Sequence, residues 1–239
     1  MKTFTLAIIP ARGGSKSIDH KNIVPFAGRL LIEHVIESAK RSREIDRIVC
    51  STDDEMIADV VRSHNIEVMW RPAALGTDNI HVIEVIKDII RRIDGRPDIL
   101  PLLQPTSPFL LPSHTDTCIQ KLKMDMRADS AQTVATLPHN YHALNQRIVE
   151  NGLVKFCFPE ERQRCYNKQK KPKHYKFGNV VVTRAGTVME KDSIFGERSI
   201  AVEIPEPYAF DLDDKEDIAL GEFLLSSDRV TLPWYDTQD

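Results

Sequence analysis

No apolar run in this 239-residue sequence approaches the ~18 residues that a membrane-spanning helix needs. The short apolar stretch in MKTFTLAIIPAR meets Arg12 and two glycines at once, so a first strand is expected there and not a signal peptide. An excess of positive charge is also missing. The net charge of −3 argues against a general nucleic-acid binder. The four cysteines, Cys50, Cys118, Cys157 and Cys165, form no CxxC and no Cys/His ligand spacing, so buried thiols in a reducing cytoplasm are expected. His139 and His142 stand close together but find no third ligand at zinc spacing. The chain has no Walker loop, no G-x-G-x-x-G and no G-x-S-x-G, and no internal repeat.

What is present is ordinary for a soluble globular enzyme: 41% hydrophobic and 28% charged residues. The length fits one domain spanning residues 1–239 with a small appendage, and it can bury a core without disulfides. Strand and helix signals alternate. Strands are expected at Thr5–Pro10, Arg47–Ser51, Ile66–Met69, Asp98–Leu103 and Ser130–Thr136. Between them, helical stripes run from Leu31 to Ala39, Met56 to Val61, Val82 to Ile93 and Asp116 to Met126. This alternation predicts an α/β fold, a parallel sheet with helices on both faces, and ligands bind such sheets beyond the carboxyl ends of the strands. The stretch 138–175 breaks the rhythm with Lys, Arg, His and Asn, and reads as an inserted flap. Strands resume in NVVVT and IAVEI, and a last helix is expected to begin near Asp214.

The polar motifs ARGGSK, STDD and QPTSP fall at the carboxyl ends of those strands, and a pair of carboxylates stands in DLDD further along the chain. In IPARGGSKSIDHKNI, Gly13 and Gly14 let the backbone approach an anion, and Arg12, Lys16 and Lys21 would neutralise a polyphosphate. In DLDD, Asp211 and Asp213 lie two apart, so an extended segment points both to one face, as a hard divalent cation requires. Asp214 is placed to cap the following helix. In LLQPTSPFL, two prolines stiffen a loop that presents Gln104, a donor and an acceptor, at the end of a strand. A solvated basic turn, surface acids and a redirecting proline turn are the bland alternatives to these three readings.

Together these stretches resemble the N-acylneuraminate cytidylyltransferase family, the CMP-sialic acid synthetases. The resemblance runs through IIPARGGSK, KNI, STDDEMIADV, RPAALGTD, LLQPTSP and DLDDKEDIAL, nearly the whole chain. It implies a Rossmann-like three-layer nucleotidyltransferase with a mostly parallel sheet and a small dimerisation flap at about 138–175. It implies a cytoplasmic enzyme that joins CTP to a sialic-acid-like, 2-keto-3-deoxy sugar acid and releases pyrophosphate. Carried over by position, Arg12, Gly13, Ser15, Lys16 and Lys21 would hold the triphosphate, and Asn22 and Arg71 would place the ribose and cytosine. Asp211 and Asp213 would hold Mg²⁺, which with Arg12 and Lys21 makes the catalytic set. Gln104, Lys168 and Lys176 would meet the sugar acid. The chain departs from the family where Lys168 and Lys176 stand in place of arginines and where Gly178–Asn179 reverses Asn–Gly. The sugar-acid site is therefore expected to diverge while the nucleotide site is kept. The resemblance also implies a homodimer. Another nucleotide or sugar substrate, or a homologue without turnover, remain the alternatives.

Overall fold

A computed structural model describes residues 3–15, 17–77 and 80–235. Its first half follows the expected alternation: β1 (Leu6–Pro10), a small hairpin of β2 (Pro25–Phe26) and β3 (Arg29–Leu30), α1 (Leu31–Arg41), β4 (Arg47–Thr52), α2 (Glu55–Ser63), β5 (Glu67–Trp70), α3 (Val82–Arg92) and β6 (Ile99–Leu102). After α4 (Pro112–Met124) and β7 (Ser130–Thr136), the insertion carries the hairpin β8 (Arg147–Glu150) and β9 (Leu153–Phe156), then α5 (Pro159–Arg164). The chain closes with β10 (Tyr175–Arg184), α6 (Ala185–Lys191), β11 (Ser199–Glu203) and α7 (Lys215–Ser226).

The central sheet has seven strands in the order β11-β7-β10-β6-β1-β4-β5. Every neighbouring pair is parallel except those of β10, which runs antiparallel to both β6 and β7. The expectation of a parallel sheet thus holds for six of the strands. The exception places the insertion. Tyr175 opens β10 opposite Thr136, which ends β7, so residues 137–174 leave and re-enter the sheet at the carboxyl edge.

Alternation along β1 divides the core. Ala7 and Ile9 pack against α1, α2 and α4 on one face, while Leu6 and Ile8 pack against α3 and α6 on the other. Strand β1 is buried on both faces, which is why it reads as a continuous apolar run. A third cluster joins Ile18, Phe26, Phe109, Leu212, Leu225 and Trp234. It ties the opening loop, the QPTSP loop and the DLDD segment into one small core. Phe109 stacks on Phe210 with ring centroids 5.0 Å apart. Helix α7 approaches this core through Gly221, where a Cβ would fall 2.7 Å from the Phe26 ring.

The cysteine expectation holds in part. Cys50 and Cys118 are buried, and burial pushes both thiols up to about 12, whereas Cys157 and Cys165 in the insertion are only half-buried. Among the described residues, no helix is long and apolar enough to cross a membrane.

Candidate active site

The opening loop leaves β1 as expected, but a helix does not follow it directly. A single 3-10 turn at Lys21–Ile23 and the β2–β3 hairpin stand before α1. The loop therefore presents backbone amides and cationic side chains without the dipole of a long helix. The loop is braced by its neighbours. The Gly13 amide donates to Asp53 Oδ1 at 2.9 Å, and the Asn22 side-chain amide donates to the Arg12 carbonyl at 2.8 Å. Gly13 is required by packing, since a Cβ there would lie 2.5 Å from Asp54 Oδ2 and 2.8 Å from Asp54 Cβ. Gly14 has open space where a Cβ would stand.

This loop forms one wall of a cavity of about 460 Å³, lined by Arg12, Gly14, Ser15, Lys21 and Asn22, with Gln104 and Thr106 opposite. Lys16 lies outside the described residues. Lys21 reaches across to the DLDD segment: its ammonium donates to the Leu212 carbonyl at 3.2 Å and pairs with Asp213 Oδ1 at 3.1 Å. Ser17 donates to the Asp213 carbonyl at 2.6 Å. Arg71 is buried and does not line this cavity. Its guanidinium donates to the Ser51 carbonyl at 2.9 Å, supporting the end of β4 behind the loop. Burial pushes that guanidinium below its ordinary value, Asp53 opposing the shift and Arg12 adding to it.

A second cavity, of about 700 Å³, adjoins the first. Gln104 lines both. Lys176, Glu206, Asp211 and Asp217 supply its charge, and Tyr141, Phe177 and Leu220 stand among its apolar walls. Lys176 Nζ pairs with Glu206 Oε1 at 3.0 Å. The Lys168 backbone sits in a 3-10 turn of the insertion, and its side chain lies outside the described residues.

Asp211 and Asp213 are exposed on either side of the fully buried Leu212; Asp211 lines the larger cavity, and Asp213 turns to Lys21. Asp211 opens to the cavity, yet the surrounding wall strips enough water to raise its carboxyl above the usual range. The Thr106 hydroxyl and Lys21 oppose that rise, and the charges of Asp213 and Asp217 add to it. Asp214 caps α7 by accepting from the Asp217 amide, as expected.

Several members of this site are not marked in the sequence. Thr106 could have been found, because it follows Gln104 in the QPTSP motif. Glu206 and Tyr141 carry no local signal. Asn179 does: the inversion of Gly178–Asn179 marks a bulge in β10. There Asn179 is fully buried and bonds Thr133, His114 and the Tyr208 carbonyl. A Cβ on Gly178 would lie 2.4 Å from Thr133 Oγ1, so the bulge needs glycine at that point.

Comparison with known proteins places this geometry in a family. A CMP-N,N'-diacetyllegionaminic acid synthase from Legionella pneumophila is 31% identical over 95% of this chain and 98% of its own length. An N-acylneuraminate cytidylyltransferase from Escherichia coli is 27% identical over 92% of this chain, which spans 52% of that relative. Among solved structures, a CMP:2-keto-3-deoxy-manno-octonic acid synthetase complexed with CTP superposes with a TM-score of 0.73. It covers 95% of this chain and 100% of its own at 15% identity, a likeness of fold. Residues 6–211 match the family described as Cytidylyltransferase. That match takes in the opening loop, Gln104 and Asp211, and the chain belongs to the cytidylyltransferase family.

Proposed function

We propose that the chain transfers the cytidylyl group of CTP to a 2-keto-3-deoxy sugar acid of the sialic-acid type, giving a CMP-sugar and pyrophosphate. The observation that carries this reading is Gln104, which lines a cationic cavity fit for phosphates and, on its other side, a larger cavity fit for an acceptor. Arg12, Ser15 and Lys21 line the first cavity, where a triphosphate would be held. The acceptor's anomeric hydroxyl forms a bond to the α-phosphorus as the bond from that phosphorus to the β-phosphate oxygen breaks. Pyrophosphate leaves along the Arg12–Lys21 loop, and the hydroxyl proton passes to the Asp211 carboxylate or to water. Holding the two reactants on either side of Gln104 supplies orientation, and the loop cations neutralise charge that grows on the departing phosphates.

Mg²⁺ is proposed as the cofactor. No cluster of three or more His, Cys, Asp or Glu residues suited to a metal occurs among the described residues. Asp211 and Asp213 nevertheless offer hard oxygen donors that would hold it, and the repulsion that Asp213 exerts on the Asp211 carboxylate favours a cation beside them. Bound there, Mg²⁺ would neutralise phosphate charge.

A homodimer is also proposed. Val149, Leu153 and Val154 in the β8–β9 hairpin are exposed and apolar, a surface suited to a second copy. Light scattering should give twice the 27.2 kDa chain mass, and Val149→Asp should halve it; a wild-type monomer would contradict the assignment. The enzymatic reading is tested by supplying CTP, Mg²⁺ and a panel of sialic, legionaminic, pseudaminic and Kdn-type acids. Mass spectrometry should detect a CMP-linked acid, and no such product from any acid would contradict the proposal.

A further inference from the structure

Asp53, the third residue of the STDD motif, stands between the end of β4 and the start of α2. It lines neither of the two cavities. Its Oδ1 nevertheless accepts the Gly13 amide at 2.9 Å, 40 residues back along the chain. Residues 11–15 have no regular secondary structure, so the path of the opening loop depends on bonds of this kind. Arg12, Gly14 and Ser15 line the cavity proposed for CTP, and Gly13 between them does not. The bond to Asp53 thus pins the loop at the point from which its neighbours on both sides reach the cavity.

Asp53 is itself firmly held. The next residue, Asp54, caps α2 by accepting the Ile57 amide at 3.1 Å, and its own amide donates to Thr52 Oγ1 at 3.1 Å. The other oxygen of Asp53, Oδ2, abuts Gly76, where a Cβ would run into it. A loop tied to a strand end and a helix cap holds its shape more precisely than one left to itself. Resting on the cytidylyl-transfer reading above, we propose that Asp53 is a positioning residue, which acts through Gly13 and sets the opening loop where Arg12, Gly14 and Ser15 meet the triphosphate.

Calorimetry of CTP binding with Mg²⁺, without any acceptor, tests this on the full chain. Asp53→Asn keeps a side-chain carbonyl that can accept the Gly13 amide, whereas Asp53→Ala keeps none. Both remove the same charge, including its support of the buried Arg71 guanidinium. Asp53→Ala should therefore bind CTP at least about fivefold more weakly than Asp53→Asn, within the range of a single hydrogen bond. KM for CTP should follow, while KM for the acid stays within about twofold. Gly76→Ala should weaken CTP binding in the wild-type chain by turning the Asp53 carboxylate, and should have no further effect beside Asp53→Ala. Folded Asp53→Ala and Asp53→Asn that bind CTP equally would overturn this inference alone. So would Gly76→Ala acting equally in both backgrounds. Wild-type protein that binds no CTP would overturn the cytidylyl reading as well.

Discussion

Lys21 and Asp213, 192 residues apart in sequence, form an ion pair of 3.1 Å that joins the first loop of the chain to its last acidic motif. The same ammonium donates to the Leu212 and Asp213 carbonyls, so one lysine ties the opening loop to the DLDD segment. Lys21→Ala removes both that brace and a charge proposed to meet the triphosphate. Turnover should fall by about 10²–10³, the scale seen when one such stabilising donor is lost. Steady-state kinetics would test it, and a loss under threefold would remove Lys21 from the catalytic set.

Asp211→Asn separates chemistry from stability. The raised carboxyl of Asp211 shows that the fold disfavours its ionised form, so a neutral amide should leave the thermal midpoint unchanged or higher. Turnover should nevertheless be abolished. Activity kept in this variant would take Asp211 out of the proposed metal site.

The two glycines of the opening loop should respond oppositely. Gly13→Ala pushes a methyl into Asp54 and must displace the loop, so KM for CTP should rise roughly tenfold or more, as misplaced binding groups allow. Gly14→Ala meets nothing within 4 Å and should be tolerated. Equal effects in the two variants would contradict the packing assigned to Gly13.

His114 gives stability a pH dependence. Its Nδ1 accepts from the Asn179 side chain at 3.0 Å, and burial pushes the imidazole down to about 4 from an ordinary value of 6.5. Between those values the unfolded chain takes up a proton that the native imidazole refuses. The stability due to His114 is therefore complete above pH 6.5 and is lost as pH falls towards 4, at no more than about 1.4 kcal/mol per pH unit. Urea midpoints across this range should fall with pH, and an NMR titration that finds His114 protonating near 6.5 would contradict the assignment.

The sequence carried much of this fold because burial leaves periodic marks. The stripe from Val82 to Ile93 and the apolar run of β1 announce their elements directly. Helix α6 was not legible, since its seven residues bury only Thr187 and Val188. Nor was the β8–β9 hairpin, whose exposed residues produce no buried alternation. The reversal of β10 also left no trace, because a strand buried on both faces reads the same in either direction. At the site, contiguous motifs were readable, and contacts between distant residues were not. Lys176 finds Glu206 30 residues away, and Asn179 finds His114 65 residues away. Arg71 belongs to a recognisable motif, and its contact with the Ser51 carbonyl was likewise not readable from it.

Pyrophosphate release measures cytidylyl transfer across Gln104 most directly. Each of the four common NTPs should be offered with Mg²⁺ and the same acid panel. Release is expected with CTP and at least one acid, and should fall at least tenfold with the other nucleotides. Release with UTP or ATP but not with CTP would contradict the account.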